Sequence, residues 1–363
     1  MARRDPTAPA LDRQMKAEAA AVKTISLLSG KTQLRLAGGT PIRLDGQTLD
    51  PATQLLLALA ERRGGMPDPG TLPLHKDREL LTRQAIVGAG LPESVAEVRN
   101  LQIDGAEGKL GARFYRTPEA GGPHPLLVFY HGGGFVLGDL DSHDSVCRAI
   151  SVHAGVDVLA VDYRLAPEHP FPAAVNDARA AYDWARANAA DLGSDPTRVA
   201  VGGDSAGGNL AAVTAIDAAQ SLAPPPVAQL LIYPAVDFVE ESPSMKMFAD
   251  GFFLTADLMK WFGDNYAGAL DDTHENRSDW RISPIRTEDL SSVAPALVVT
   301  AGFDPLRDEG EAYAERLADS GVPVVVRRFP GLVHGFCQMT GASVPARDAL
   351  LESAGAFRTF LRR

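Results

Sequence analysis

The run Gly203–Gly207 (Gly-Asp-Ser-Ala-Gly) could present a serine as a nucleophile. It follows the apolar segment Arg198–Gly202, which has the composition of a short buried strand, and it leads into Ala206–Gln220, which is rich in Ala and Leu and typical of a helix. A turn this sharp strains the backbone of Ser205 and admits only small neighbours. It also places the hydroxyl at a helix N-terminus, where N–H groups favour developing negative charge. The pattern predicts attack by Ser205 on a carbonyl group.

A second run, His131–Phe135 (His-Gly-Gly-Gly-Phe), follows the strand-like segment Pro125–Tyr130. Three consecutive glycines cost conformational entropy, so they indicate a place where the backbone approaches another group closely. Attack on an ester carbonyl requires N–H donors about 3 Å from the oxygen that becomes an oxyanion. We expect Gly132 to shape this loop and His131 to brace it by hydrogen bonds. The expected oxyanion donors are the N–H groups of Gly133, Gly134 and Ala206.

A serine nucleophile needs a base, and the base needs an acid that orients it. Among the eight histidines, His334 lies just after the strand-like segment Val322–Arg327 and near the end of the chain. This is the position of the base in folds whose triad runs Ser, then acid, then His. Apart from His131 in the glycine loop, the other histidines lie in polar stretches, beside a predicted helix or in a Pro-rich turn. We therefore predict that His334 is the base.

Asp304 is the favoured acid, because it comes directly after a buried-looking strand and strand ends position side chains well. Pro305 would suit the first turn of the helix that follows. Asp304 could also be a simple helix N-cap, which is a common role for Asp before Pro. Asp308, expected inside the helix together with Glu309, is the alternative acid.

Strand-like and helix-like segments alternate along the chain, which indicates a doubly wound α/β fold with a mostly parallel sheet of eight strands. The predicted strands are near 99–104, 111–116, 125–130, 157–162, 197–202, 227–233, 295–301 and 322–328. The predicted helices are near 142–154, 171–190, 206–220, 305–320 and 345–361.

Two stretches do not fit this sheet. We expect residues 1–95, with amphipathic segments at Asp50–Arg63 and Asp77–Val87, to form a helical cap region, and residues 96–363 to form the catalytic domain. Residues 237–292 form a long insertion in that domain, and insertions of this length are usually functional. Its aromatic residues could form a small core, a lid over Ser205, or both. The expected acyl pocket consists of Phe252, Phe253, Met259 and Phe262.

Composition limits the possible partners. The formal net charge is −11 and basic runs are absent from the sequence, which argues against nucleic acid and anionic membrane surfaces. The two cysteines, Cys147 and Cys337, are too few for a disulfide framework, and neither a signal peptide nor a membrane span is visible. We expect a cytoplasmic protein that uses no metal or organic cofactor. A homodimer is one possible assembly.

Taken together, the motifs resemble those of the hormone-sensitive lipase family of α/β-hydrolases. The resemblance covers roughly residues 100 to 363, and it implies an α/β-hydrolase fold in which Ser205, Asp304 and His334 form the triad. The matching runs, in the order of the family, are His131–Phe135, Asp162–His169, Gly203–Asn209, Asp304–Glu309 and His334–Phe336.

These observations predict a serine carboxylesterase that hydrolyses short- to medium-chain acyl esters through an acyl-enzyme. An amidase or deacetylase would use the same residues on a harder leaving group, and the sequence leaves that alternative open. A non-catalytic ligand receptor is a different class, and plant gibberellin receptors resemble this family but have lost the catalytic histidine. The presence of His334 argues against a receptor.

Overall fold

A computed structural model describes residues 7–62, 64, 70–221, 224–268 and 276–362. Residues 1–6 of the expected cap region, and His274, which we expected in a polar loop, lie outside the described residues. In the described part of the chain, eight strands form one central sheet, and two short strands form a separate hairpin. The strands are β1 (Arg43–Leu44), β2 (Gln47–Thr48), β3 (Glu97–Gly105), β4 (Gly108–Arg116), β5 (His124–Tyr130), β6 (Asp157–Asp162), β7 (Ser194–Asp204), β8 (Gln229–Ile232), β9 (Ala296–Phe303) and β10 (Val324–Val333).

The sheet has the strand order β10-β9-β8-β7-β5-β6-β4-β3. The strands from β10 to β6 in this order run parallel, whereas β4 pairs antiparallel with both β6 and β3. The carboxyl ends of β5, β7, β9 and β10 therefore meet at one edge of the sheet, which is where ligands bind in open α/β folds. The mostly parallel sheet of eight strands that we expected from the sequence is confirmed.

Helices cover both faces of the sheet. Alternate side chains of β5 point to opposite sides. Val128 therefore lies in one buried cluster with Ala178, Leu210 and Tyr313, and Phe129 lies in another with Ile150 and Leu350. The helices of the described residues are α1 (Arg13–Leu27), α2 (Gly30–Leu36), α3 (Pro51–Glu61), α4 (Leu74–Gly88), α5 (Asp144–Ala154), α6 (Ala173–Leu192), α7 (Ala206–Gln220), α8 (Pro243–Met247), α9 (Ala256–Ala267), α10 (Arg307–Asp319) and α11 (Val344–Phe360).

The bounds differ from the sequence prediction mainly at element ends. Strand β10 continues to Val333, five residues beyond the predicted end, because Val333 pairs with Phe303 after an irregularity that follows Phe329. Helix α10 begins at Arg307, so the expectation that Pro305 lies in its first turn is wrong. In the N-terminal region, α3 begins after Asp50, whose side chain accepts the N–H of Thr53 and caps the helix.

Candidate active site

Ser205 occupies a strained turn between β7 and α7. Its φ of 56° and ψ of −120° lie outside the regions that a serine ordinarily adopts. A Cβ atom on Gly203 would come within 2.3 Å of the carbonyl oxygen of Gly207, and one on Gly207 would come within 1.9 Å of that of Tyr130. Both positions therefore require glycine, which is the reason for the Gly-x-Ser-x-Gly spacing.

The hydroxyl of Ser205 begins a chain of hydrogen bonds. Ser205 Oγ lies 2.9 Å from His334 Nε2, and His334 Nδ1 lies 2.9 Å from Asp304 Oδ2. Asp304 is fully buried, while the side chain of His334 remains 12% exposed. The second carboxylate oxygen of Asp304 accepts the N–H of Leu306 at 2.9 Å. One oxygen of Asp304 therefore contacts the imidazole and the other holds the turn before α10, whereas the N-cap of α10 is Leu306, so the simple N-cap that we considered for Asp304 is wrong.

The ends of neighbouring strands bring these residues together. Asp304 follows β9 directly and His334 follows β10 directly, and β9 and β10 pair in parallel. The alternative acid, Asp308, points elsewhere, because it accepts the N–H of Ser244 at 2.8 Å and pairs with Arg307 at 2.7 Å. Asp304 is the carboxylate that contacts the imidazole.

The glycine loop after β5 has the backbone that an oxyanion site requires. Gly133 and Gly134 have φ values of 122° and 61°, which glycine adopts without strain. Their N–H groups donate no hydrogen bond to another described residue. Ala206 is the first residue of α7, and N–H groups of the first helical turn have no partner within the helix. These three residues, Ser205 and His334 all line one cavity.

Comparison with known proteins identifies the family. A family model described as the α/β-hydrolase fold matches residues 127–338. The chain belongs to the α/β-hydrolase family. It is 44% identical over 345 residues to carboxylic ester hydrolase LipN of Mycobacterium tuberculosis, covering 92% of this chain and 90% of LipN. It is 37% identical to the ethyl acetate hydrolase of Pseudomonas putida, covering 86% of this chain and 98% of that protein.

The solved structures agree. The hyperthermophilic esterase of the archaeon Pyrobaculum calidifontis superposes with a TM-score of 0.77 at 40% identity, covering 85% of this chain and 96% of that one. The thermostable carboxylesterase EstE1, from a metagenomic library, gives a TM-score of 0.73 at 41% identity over 80% of this chain and 99% of that one. This α/β-hydrolase therefore belongs to the esterases of the hormone-sensitive lipase family, as the motifs indicated.

The cavity of this α/β-hydrolase has a volume of about 1390 Å³ and is walled by both regions that lie outside the sheet. From the insertion, Phe253, Met259 and Phe262 line it, and the ring of Phe262 packs so closely on Gly134 that a Cβ there would lie 2.1 Å from the ring. The N-terminal helices also contribute apolar side chains to the cavity wall. These are Ala21, Val22 and Ile25 of α1, Leu56 and Leu59 of α3, and Leu80 and Leu81 of α4.

Phe252 is placed differently from its expected position in the acyl pocket. It packs in a separate buried cluster with Phe248, Phe303 and Val333. The neighbouring Phe253, which has a φ of 69°, packs against the edge of this cluster and also lines the cavity. Of the four residues that we expected in the pocket, Phe252 alone is absent from the cavity wall.

His131 and Asp204 fix the conformation of the glycine loop. Asp204 accepts the N–H of Gly132 at 2.9 Å, and the ring of His131 stacks on Tyr163 with 4.4 Å between ring centres. Burial and the neighbouring His143 lower the pKa of His131 to about 4. Burial raises the pKa of Asp204, but the charge and hydrogen bond of His143 and the N–H of Gly132 outweigh it, so the net pKa is lowered. The loop is thus fixed by a neutral imidazole and a carboxylate.

Arg78 contributes to the site without any signal in the sequence. Its Nε donates to the carbonyl oxygen of Val136 at 2.9 Å and its Nη2 to that of Ala166 at 3.0 Å, and it pairs with Glu168 at 2.7 Å. These bonds fasten α4 of the N-terminal region to the end of the glycine loop. An arginine on a helix is ordinarily a solvated residue, so only the fold reveals this contact.

Two further properties concern the described part of the chain. It contains no group of three or more His, Cys, Asp or Glu side chains that could hold a metal ion. None of its helices combines the length and apolar character needed to cross a membrane.

Proposed function

We propose that this esterase hydrolyses small carboxylic esters with Ser205 as nucleophile, His334 as base and Asp304 as the orienting acid. The proposal is supported chiefly by the unbroken chain of hydrogen bonds from Ser205 through His334 to Asp304, at 2.9 Å for each step. The chain ends on a fully buried carboxylate whose other oxygen is already occupied by Leu306. That arrangement fixes both the position and the tautomer of the imidazole.

The first half-reaction forms an acyl-enzyme. His334 Nε2 takes the proton of Ser205 Oγ as this oxygen attacks the ester carbonyl carbon. Negative charge then develops on the carbonyl oxygen, where the N–H groups of Gly133, Gly134 and Ala206 stabilise it. The imidazolium gives its proton to the leaving alcohol as the C–O bond breaks.

In the second half-reaction, water replaces the alcohol. His334 takes a proton from the water, the hydroxide attacks the acyl carbon, and Ser205 Oγ leaves with the proton from His334. Asp304 remains ionised throughout and stabilises the imidazolium. These steps need no group beyond the side chains and the backbone of the site, so we propose a mechanism without a cofactor.

The substrate range follows from the walls of the cavity. Residues of the insertion and of the N-terminal helices line the cavity, and α9 of the insertion carries charged residues, including Lys260, which lines the cavity and pairs with Asp264 at 2.5 Å. Such a helix is poorly suited to lie on an oil surface. We propose acyl chains of roughly two to eight carbons in dissolved esters. The name of the Pseudomonas putida relative, an ethyl acetate hydrolase, supports small esters.

The test is a rate profile across p-nitrophenyl esters from acetyl to palmitoyl, together with tributyrin and triolein above and below their solubility limits. We expect the highest kcat/KM at short to medium chains and no increase in rate when droplets form. Efficient hydrolysis of triolein with activation at the interface would contradict the proposal. A matching p-nitroanilide decides between ester and amide, and a rate on the anilide equal to that on the ester would favour the amidase.

We further propose that the protein is cytoplasmic. Cys147 and Cys337 are buried as free thiols, and such a pair needs no oxidising compartment. A homodimer stays a proposal as well, and sedimentation equilibrium of the purified chain tests it. A mass of one chain at micromolar concentration would contradict the dimer.

A further inference from the structure

Two buried polar side chains outside the triad hold one peptide group from both sides. Asn209 Nδ2, in α7, donates to the carbonyl oxygen of Ala235 at 2.8 Å, and Glu309 Oε1, in α10, accepts the N–H of Val236 at 2.7 Å. The carbonyl of Ala235 and the N–H of Val236 belong to the same peptide bond. Glu309 Oε1 also accepts the N–H of Asp237 at 3.2 Å. Asn209 and Glu309 together form what we call the peptide clamp.

The residue that carries the clamped carbonyl, Ala235, contacts the nucleophile turn through its own N–H group. The N–H of Ala235 donates to the carbonyl oxygen of Ser205 at 3.3 Å, and the backbone N–H of Asn209 donates to the same oxygen at 3.0 Å. Ser205 keeps its strained φ of 56° only where its surroundings hold it there. A shift of the clamped peptide would therefore move Ser205 relative to His334. Ala235 and Glu309 both line the cavity that contains Ser205.

Each member of the clamp also has one buried oxygen without a partner. Asn209 Oδ1 and Glu309 Oε2 make no hydrogen bond to the described residues, and Glu309 is only 4% exposed. A buried ionised carboxylate with one oxygen unpaired is costly, whereas a neutral acid avoids the cost of burying a charge.

The charges around Glu309 agree with a neutral acid. Burial raises the pKa of Glu309 well above its usual range, the two N–H groups oppose this effect, and the nearby carboxylates of Asp237 and Asp304 add to it. The carboxylate of Asp237 itself pairs with Arg286 at 3.1 Å, so that cation is already engaged.

We propose that Asn209 and Glu309 are positioning residues for ester hydrolysis, which hold the Ala235–Val236 peptide against Ser205, and that Glu309 does so as a neutral carboxylic acid with its proton on Oε2. This inference rests on the proposed function, because it concerns the placement of Ser205.

The test compares variants of Glu309 that separate shape, hydrogen bonding and charge. Glu309→Gln keeps an acceptor for both N–H groups and puts an NH₂ donor in place of the O–H, whereas Glu309→Leu removes the acceptor. Glu315→Gln is the control, because Glu315 is exposed on the same helix. We expect kcat to stay within about threefold for Glu309→Gln and to fall at least about tenfold for Glu309→Leu, with KM changed less than about threefold in both. Glu315→Gln should match the wild type.

The charge of Glu309 is read by infrared difference spectroscopy of the wild type against Glu309→Gln at pH 7. Loss of a protonated carboxylic C=O band supports the neutral acid. Loss of an ionised carboxylate band, or a Glu309→Gln variant as slow as Glu309→Leu, would overturn it. An unchanged kcat in folded Glu309→Leu would overturn the positioning role.

If Glu309→Leu does not fold, Asn209→Asp tests the same clamp, since it replaces the NH₂ donor by a carboxylate of the same size. We expect its kcat to fall at least about tenfold with little change in KM, and an unchanged kcat would overturn the positioning role. Ser205→Ala runs in the same series. Turnover by Ser205→Ala would refute the proposed function itself, whereas its inactivity beside a fully active Glu309→Leu or Asn209→Asp would refute only this inference.

Discussion

Asp304→Asn should stop His334 from acting as a base without unfolding the protein. The N–H of Leu306 donates to Asp304 Oδ1, so an asparagine would turn its carbonyl oxygen to Leu306 and its NH₂ group to His334 Nδ1. Nδ1 would then have to accept a hydrogen bond, which moves the imidazole proton to Nε2. That atom faces Ser205 Oγ at 2.9 Å, and a protonated Nε2 cannot take the serine proton.

The expected loss is large because the wrong tautomer disables both half-reactions. We expect kcat to fall by about 10⁴-fold, which corresponds to about 5.5 kcal/mol of transition-state stabilisation. The midpoint of thermal unfolding should change little, since asparagine fills the same volume and keeps the bond to Leu306. The assay is steady-state hydrolysis of p-nitrophenyl butyrate, with circular dichroism to establish that the variant is folded.

Asp308→Asn is the matched control, because Asp308 lies four residues away and binds Ser244 and Arg307 instead of the imidazole. We expect it to retain kcat within about tenfold of the wild type. The reasoning would be refuted if Asp304→Asn kept near-normal turnover, or if Asp308→Asn were the more damaged of the two.

Three further predictions follow from the loop and the cap. Gly134→Ala should lower kcat/KM about 10²-fold, because a Cβ there meets the ring of Phe262 at 2.1 Å, and Phe262→Ala in the same chain should restore part of it; no recovery would contradict the clash. The pKa of His131 is lowered to about 4, so the folded chain binds fewer protons than the unfolded chain between that value and about 6.5, and stability should fall as the pH drops through this range, by up to about 3 kcal/mol. Urea unfolding at several pH values should show a flatter profile for His131→Phe, and an unchanged profile would contradict this assignment. Deletion of residues 1–45 removes α1 and α2, and with them Val22 and Ile25 from the cavity wall, so we expect lost activity and binding of a hydrophobic dye; unchanged kinetics would contradict a role for these helices.

The three residues of the proposed triad could be predicted from the sequence because each of them lies at the end of a strand. Ser205, Asp304 and His334 each follow a strand directly, and parallel strands bring their carboxyl ends to one edge. Glycine runs are equally informative, since a Cβ at Gly132 would meet Asp204 at 2.6 Å. Local sequence patterns of this kind can be interpreted without the fold, because they determine the backbone geometry at their own position.

Features that depend on how distant segments meet could not be predicted in this way. Arg78 reaches Val136 across 58 residues of sequence, and nothing in its own surroundings indicates the contact. Phe252 and Phe253 are the same residue type side by side, and only the backbone conformation of the insertion decides which of them lines the cavity. Glu309 had been expected simply to lie inside a helix, and its contact with Val236 depends on where α10 packs.

We propose above all that Ser205 Oγ attacks the ester and becomes acylated. Incubation with a p-nitrophenyl alkylphosphonate, followed by peptide mass spectrometry, tests it most directly, because a phosphonate ester traps the attacking oxygen. We predict one phosphonyl group per chain on the peptide that contains Ser205, release of one equivalent of p-nitrophenol, and neither event with Ser205→Ala. A label on any other residue that accompanies inactivation, or ester turnover by folded Ser205→Ala, would contradict the account.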